Sequence, residues 1–299
     1  MRSISRRGAL GVVAALASAG PGLAAAQVVQ RAPSGLRIIG SDFAAARAAF
    51  HTRLLHSGPS PQSYEHERAP NGVEEVEFRS GELRLKGWLG RPAGVQGPAP
   101  AVVFAHGGFA FGAEDFDMAR PYLAAGFVVL TPMVRGENGM PGAYSMFYGE
   151  VDDIAAAGAY LKALPYVDAA RVYLAGHSVG GTLAMLAAQA STNFRASASF
   201  SGSPDQITFC EAWADIVPFD MRDSVELEMR SPLAYAASFK APARLFYATR
   251  EVYGPDMELT ASIARAAGKD VVAQTVRGDH FTAVPEAMAR SIAFFQAQS

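Results

Sequence analysis

Short runs of consecutive apolar residues, each followed by a stretch with helical spacing, constrain the fold of this 299-residue chain most strongly. Such runs occupy 101–105, 127–130 and 171–175. A strand that is buried on both faces appears in the sequence as a continuous apolar run. Alternating strands and helices need crossover connections, so the sequence predicts an α/β fold with a mostly parallel, doubly wound sheet. Ligands bind beyond the carboxyl ends of such strands, so we look for chemistry in the loops that follow them.

Composition excludes several other classes of protein. Half of the residues are hydrophobic and the formal net charge is only −2, which excludes an intrinsically disordered chain. The single cysteine, Cys210, cannot form an intrachain disulfide. The chain lacks the excess of basic residues that is typical of nucleic-acid-binding proteins, so we expect no nucleic-acid partner. The sequence has neither clustered His and Cys ligands nor a phosphate-binding glycine loop with a following lysine, so we expect no metal and no cofactor.

The first 26 residues are typical of an export signal. A short basic stretch precedes an apolar run at 8–20, and small residues before position 27 predict cleavage after Ala26. The pair Arg6-Arg7 resembles a twin-arginine signal, and an ordinary secretory signal is the alternative. The run is too short for a good membrane span, which needs about 20 apolar residues. We therefore expect a periplasmic or secreted protein without a membrane anchor in its mature form.

The remainder divides into an N-terminal extension and one large domain. Residues 27–72 form the extension, in which helical spacing predicts a helix over 41–56. The domain covers 73–299 and opens with two strands around a Ser-Gly turn. Its segment 204–241 is poorly periodic, and we expect it to form a small cap over the ligand pocket.

The strongest chemical signal is Gly176-His-Ser-Val-Gly180, which lies directly between a predicted strand and a predicted helix. This is the G-x-S-x-G pattern in the strand–turn–helix setting that it requires. Glycine is needed at both ends because a side chain would collide with the neighbouring strand or helix. The turn exposes Ser178 as a nucleophile, and the helix N-terminus behind it can stabilise a developing negative charge.

A second loop, His106-Gly-Gly-Phe109, follows the strand at 101–105. A tetrahedral intermediate needs N–H donors for its oxyanion, and Val179, the residue after the serine, supplies one. We expect Gly108 to supply the second donor, with the Phe109 N–H as the alternate. We interpret His106 as a structural residue that ties the loop through a ring hydrogen bond.

A serine hydroxyl needs a general base, and His280 is the best-placed histidine. It follows the last predicted strand, in a loop from which a side chain can reach Ser178. His177 lies inside the turn and faces the wrong way to serve its neighbour. The order of nucleophile before histidine matches the order Ser, acid, His.

The acid that orients this histidine should lie in the loop after the strand at 245–248. Glu251 stands where the loop begins and is the favoured candidate. Asp256 is the alternate, although its position also suits the first turn of a helix. Asp205 and Asp279 remain open as further candidates.

Together these motifs resemble the α/β-hydrolases of the prolyl oligopeptidase and dienelactone hydrolase type. The resemblance spans about Val73 to the C-terminus. Glu251 stands where the family usually has Asp, and Ala248 stands where a Gly usually precedes the acid. The resemblance implies an α/β-hydrolase fold with a small cap insertion. It rests on the His106 loop, Pro132-Met-Val-Arg-Gly136, Asp153, residues 167–181, Ser231-Pro-Leu and His280.

The expected function is hydrolysis of a carboxylic ester, small or polymeric, through an acyl-enzyme. The extension at 27–72 is too short for the β-propeller that family peptidases commonly carry, which favours an esterase over a peptidase. An aminopeptidase or amidase is one alternative, and a non-catalytic binding protein on the same scaffold is another. The sequence does not indicate an oligomeric state. The residues expected to line the substrate pocket are Phe109, Phe111, His177, Trp213 and Phe219, with core packing as the alternative for the aromatic ones.

Overall fold

A computed structural model describes residues 30–94 and 96–298, and these form eight strands and eight α-helices. The predicted signal peptide at 1–26 lies outside the described residues. The strands are β1 Val73–Ser80, β2 Leu83–Gly90, β3 Ala99–Ala105, β4 Val128–Pro132, β5 Val167–His177, β6 Ser197–Phe200, β7 Ala243–Ala248 and β8 Val271–Val276. The helices are α1 Phe43–Ala49, α2 Ala113–Ala124, α3 Glu150–Ala163, α4 Val179–Ala190, α5 Gln206–Ala212, α6 Ser224–Glu228, α7 Gly254–Ala266 and α8 Val284–Gln296.

All eight strands belong to one sheet, in the order β1-β2-β4-β3-β5-β6-β7-β8. The pairs β1–β2 and β2–β4 are antiparallel, and every other neighbouring pair is parallel. The predicted mostly parallel sheet is therefore confirmed, with an antiparallel hairpin at one edge. The carboxyl ends of β3, β5, β7 and β8 point to the same edge of the sheet. This places the loops that contain His106, Ser178, Glu251 and His280 close together.

Helices cover both faces of the sheet. Alternate side chains of the central strands pack in opposite directions, as Val103 and Leu174 join one hydrophobic cluster and Val102 and Tyr173 join another. Helices α3 and α4 belong to the first cluster, whereas α2 and α8 belong to the second. The two-sided burial explains why these strands appear as continuous apolar runs rather than alternating ones.

The N-terminal extension contains a shorter helix than predicted. Helix α1 ends at Ala49 because Phe50 takes an extended backbone and caps the helix with its N–H. The residues beyond it bind the cap segment: Thr52 and the Arg53 N–H both contact the Glu226 carboxylate at 2.7 Å. Tertiary hydrogen bonds thus replace the last turns that local spacing predicted.

The cap segment at 204–241 folds as two short helices, α5 and α6, and two 3₁₀ turns. Its centre is Arg230, a fully buried guanidinium that pairs with Glu226 at 2.5 Å and lies 3.8 Å from the centre of the Phe219 ring. Phe219 is itself buried, so it supports the cap rather than facing a ligand. Among the described residues, no helix combines the length and the apolar character needed to cross a bilayer.

Candidate active site

The turn between β5 and α4 holds Ser178 in a strained conformation. Its φ and ψ angles are 57° and −119°, a region that a residue with a side chain rarely adopts. The flanking glycines permit the turn, because a Cβ at Gly176 would stand 2.1 Å from the Gly180 carbonyl oxygen. A Cβ at Gly180 would stand 2.0 Å from the Ala105 carbonyl oxygen. The half-buried Ser178 side chain is thereby placed at the carboxyl edge of the sheet, beside the N-terminus of α4.

Three side chains from three loops form a continuous chain of hydrogen bonds. The Ser178 hydroxyl lies 2.9 Å from Nε2 of His280, and Nδ1 of His280 is bonded to Oε1 of Glu251. A carboxylate that holds Nδ1–H leaves Nε2 free to accept the serine proton. The arrangement can therefore activate a hydroxyl for nucleophilic attack.

Glu251 is fixed from both sides of its carboxylate. Its second oxygen accepts the Ala248 N–H at 2.8 Å. Burial raises the pKa of this carboxyl, but hydrogen bonds from His280, Ser201 and the Ala248 N–H outweigh burial and leave the pKa below its ordinary value. Glu251 is therefore ionised at neutral pH and can stabilise an imidazolium.

The other candidate acids lie in different surroundings. Asp256 lies in the first turn of α7, and no hydrogen bond joins it to His280. Asp205 caps α5 and accepts the Ser34 hydroxyl. Asp279 binds Thr282 and Arg250 at the surface. The structure thus brings Glu251 together with His280 and leaves the other three carboxylates apart from it.

His177 holds the backbone of His280 through a hydrogen bond and does not line the cavity. Its Nε2 lies 2.8 Å from the backbone carbonyl oxygen of His280, and its side chain is almost fully buried. Burial is the main cause that lowers the pKa of His177 to about 4, so the ring is neutral and donates one hydrogen bond. The expected role of His177 in substrate binding is therefore wrong, because its ring points into the protein and holds the His280 loop.

The loop after β3 lies over the serine. Gly108 has a φ of +70°, which suits glycine, and a Cβ at Gly107 would stand 3.4 Å from the Ser178 Cβ. Among the described residues, neither the Gly108 N–H nor the Val179 N–H has an acceptor, so both remain available as oxyanion donors. The Phe109 N–H, the alternate donor, is already bonded to Oε1 of Gln62 at 2.8 Å.

His106 anchors this loop from inside the protein. Its two ring nitrogens lie 3.0 Å from the Glu137 carboxylate and 2.9 Å from the Gly107 carbonyl oxygen. Burial opposes protonation, but the charges of Glu137 and Asp115 outweigh it and raise the pKa of His106 to about 10. His106 is thus a buried cation that ties the loop to the core.

A cavity of about 250 Å³ opens above Ser178. Phe109 and Trp213 line it as expected from the sequence, but Phe111 and Phe219 do not. Phe111 is buried instead, with its ring 4.8 Å from that of Trp88, and Phe219 lies under Arg230. The full lining is Gln62, Gly108, Phe109, Ser178, Val179, Thr182, Ser201, Ser203, Phe209, Trp213, Tyr253 and His280.

Several lining residues were not expected from the sequence. Phe209 lies four residues before Trp213 along α5, and this helical spacing could have identified it as a second aromatic wall residue. No local signal marks Gln62, which reaches the cavity from the N-terminal extension. Among the described residues, no group of three or more His, Cys, Asp or Glu side chains could hold a metal ion.

Known proteins of similar structure share the mostly parallel α/β fold described above. Residues 114–248 match the model of the prolyl oligopeptidase family. The uncharacterized peptidase YuxL of Bacillus subtilis (strain 168) is 28% identical over 200 residues, which are 60% of this chain and 30% of YuxL. The present chain therefore spans less than a third of that relative's length.

Two solved structures illustrate the range of proteins with this architecture. The acylaminoacyl peptidase of Pyrococcus horikoshii has a TM-score of 0.61 at 23% identity, covering 75% of this chain and 41% of its own. The esterase of the archaeon Pyrobaculum calidifontis has a TM-score of 0.64 at 19% identity, covering 76% of this chain and 86% of its own. At such identities the likeness establishes the fold alone.

Proposed function

We propose that this chain is a serine hydrolase that cleaves carboxylic esters, because residues 114–248 match the model of the prolyl oligopeptidase family and the chain shares its fold with peptidases and esterases. Ser178 is the nucleophile, His280 the general base and acid, and Glu251 the acid that orients the histidine. The chain of hydrogen bonds through these three side chains supports this assignment.

The reaction proceeds in two acyl-transfer steps. His280 Nε2 takes the proton of Ser178 as Oγ bonds to the ester carbonyl carbon, and the Gly108 and Val179 N–H groups stabilise the resulting oxyanion. The bond to the alcohol oxygen then breaks, and the proton passes from His280 to the leaving alcohol. Water, deprotonated by His280, attacks the acyl-enzyme, and collapse of the second intermediate returns the proton to Ser178 and releases the acid.

The uncharged, aromatic lining of the cavity is the observation that supports a preference for esters over peptides. Phe109, Phe209 and Trp213 provide aromatic surface, and no carboxylate is among the described residues that line the space. An aminopeptidase needs a negative partner for the substrate's free ammonium group, whereas an ester with uncharged acyl and alcohol groups needs none. A neutral, aromatic-walled cavity of about 250 Å³ therefore suits a small uncharged ester.

The test compares esters and amides at equivalent leaving groups. We expect p-nitrophenyl butyrate to be hydrolysed with a kcat/KM at least 100-fold above that of alanine p-nitroanilide, after each value is divided by its uncatalysed rate. Ser178→Ala serves as the matched control and should abolish both activities. Faster turnover of the anilide on this corrected scale would overturn the preference for esters.

A peptidase or amidase is the second candidate. The match to the prolyl oligopeptidase family and the similarity to YuxL favour it. The same side chains would perform that reaction, with His280 protonating a leaving amine. A panel of N-acylated and free aminoacyl anilides separates an amidase from an aminopeptidase, since only the latter requires the free ammonium group.

We also propose that the protein is exported to the periplasm or secreted, on the basis of its first 26 residues alone. A tagged full chain expressed in a bacterium with a twin-arginine pathway should be recovered from the periplasm, beginning at position 27. Replacing Arg6 and Arg7 with Lys should block export. Recovery of the uncleaved chain in the cytoplasm would contradict the proposal.

A further inference from the structure

A segment of the N-terminal extension, residues 58–67, crosses the loop that lies over Ser178. Its Gly58 carbonyl oxygen accepts the Tyr144 N–H at 2.9 Å, and its Ser60 N–H donates to the Gly136 carbonyl oxygen at 2.9 Å. The Ser60 hydroxyl donates to the Phe109 carbonyl oxygen. On the other side of Gln62, the Glu67 carboxylate accepts the Ala113 N–H at 2.7 Å. The segment is therefore fixed to the domain on both sides of Gln62, whose Oε1 accepts the Phe109 N–H at 2.8 Å.

The bond from Phe109 decides which way the Gln62 amide points. A backbone N–H can only donate, so the group that meets it must be the carbonyl oxygen of the amide rather than its nitrogen. The Nε2 hydrogens of Gln62 then have no acceptor among the described residues. Because Gln62 lines the cavity together with Ser178, these two hydrogens are available to a substrate.

Gly108 allows the amide to lie directly on the oxyanion loop. A Cβ at this position would stand 2.9 Å from Oε1 and 3.6 Å from Nε2 of Gln62. The amide therefore lies beside the loop that holds the acyl carbonyl in the proposed reaction. Nε2 therefore lies in the same cavity as Ser178, beside the place that the substrate's carbonyl group takes in the proposed reaction.

We propose that Gln62 determines specificity by donating a hydrogen bond from Nε2 to an uncharged acceptor oxygen, such as a carbonyl, in the substrate's acyl chain. This inference rests on the proposed esterase function. Oε1 has a separate role. It accepts the Phe109 N–H, so the Gly108 N–H is the group in this loop that can donate to the oxyanion. The preferred substrates are therefore oxygenated acyl esters rather than plain alkanoates.

A pair of esters with matched shape tests the proposal. The p-nitrophenyl esters of 4-oxopentanoic acid and 4-methylpentanoic acid differ in having a carbonyl oxygen or a methyl group at the same place. Wild-type protein should favour the oxo ester, after correction for uncatalysed rates, and Gln62→Met should reduce that preference about tenfold. The ratio of kcat/KM values cancels any general effect on the catalytic side chains.

Two further variants separate recognition from support of the loop. Gln62→Glu keeps an acceptor for the Phe109 N–H but has no hydrogen to donate when ionised, so it should lose the preference as Gln62→Met does. Ser60→Ala removes a bond that holds the segment but leaves the donor in place, so its preference should match the wild type. An unchanged ratio in both Gln62 variants would overturn the inference while leaving the esterase function intact. Absence of wild-type turnover of both esters would instead overturn the proposed function, and the inference with it.

Discussion

Replacing Glu251 with Gln changes one atom, and the structure predicts a large loss of activity from it. The carboxylate presents two acceptors, one to Nδ1 of His280 and one to the Ala248 N–H, whereas an amide presents only one acceptor. The Ala248 N–H is a fixed donor, so the amide oxygen must turn toward it. The amide nitrogen then faces His280 as a donor. This forces the tautomer with hydrogen on Nε2, which cannot accept the proton of Ser178.

The size of the effect follows from that tautomer and from the lost charge. An equivalent change in serine proteases lowers kcat by about 10⁴-fold. We therefore expect Glu251→Gln to lower kcat by about 10³- to 10⁴-fold, which corresponds to about 4–5.5 kcal/mol of transition-state stabilisation. Turning the amide the other way would restore the productive tautomer only at a cost of about 1–3 kcal/mol, because two donors would then meet at the Ala248 N–H. It would not restore the negative charge that stabilises the imidazolium.

The assay is steady-state hydrolysis of p-nitrophenyl butyrate, with thermal unfolding to show that the variant is folded. Asp256→Asn is the matched control, since it removes the charge of a nearby acid that does not bond His280, and it should change kcat less than threefold. The reasoning is refuted if folded Glu251→Gln keeps more than a tenth of wild-type kcat, or if Asp256→Asn alone abolishes turnover.

Three other predictions concern stability. The pKa of His177 falls to about 4 on folding, below the ordinary 6.5 of an unfolded chain, so its contribution to stability is present above pH 6.5 and is lost as the pH falls toward 4. In urea unfolding, the free energy of unfolding should therefore fall by about 3 kcal/mol less between pH 7 and pH 4 in His177→Gln than in the wild type. The pKa of His106 is raised to about 10, so its pairing contributes below pH 6.5 and is lost as the pH rises toward 10. Glu137→Gln should therefore cost about 3 kcal/mol in urea unfolding at pH 6 and less at pH 10, and an equal cost at both would contradict a charged pair. Gly180→Ala places a Cβ 2.0 Å from the Ala105 carbonyl oxygen, so we expect an insoluble chain, and soluble protein with wild-type melting would refute the tight turn.

The sheet and the serine turn were predictable because their signals are local. Two-sided burial makes a strand such as β3 a continuous apolar run, and its bounds at Ala99–Ala105 differ from the expected 101–105 only at one end. The turn at Ser178 requires glycine at fixed positions, so the glycine spacing in the sequence is enough to predict its backbone geometry. In both cases a few adjacent residues determine the structure.

The pocket was less predictable because its walls depend on packing between distant segments. Phe219 was expected to face the substrate, but the buried Arg230 guanidinium covers its ring. Phe111 is likewise turned away from the cavity, because its ring packs edge-on against Trp88 of β2. The sequence does not predict the position of Gln62, because a single amide in a loop has no periodicity and is placed by tertiary hydrogen bonds such as the one from the Phe109 N–H.

The central claim is that Ser178 is an activated nucleophile, and a fluorophosphonate probe tests it directly. Intact-protein mass spectrometry of the labelled chain should show one adduct, and peptide mapping should place it on Ser178, with Ser178→Ala unlabelled and Glu251→Gln labelled far more slowly. Rapid labelling requires the hydrogen-bond chain that joins Ser178, His280 and Glu251. A folded wild-type protein that does not react, or that reacts elsewhere, would contradict the account.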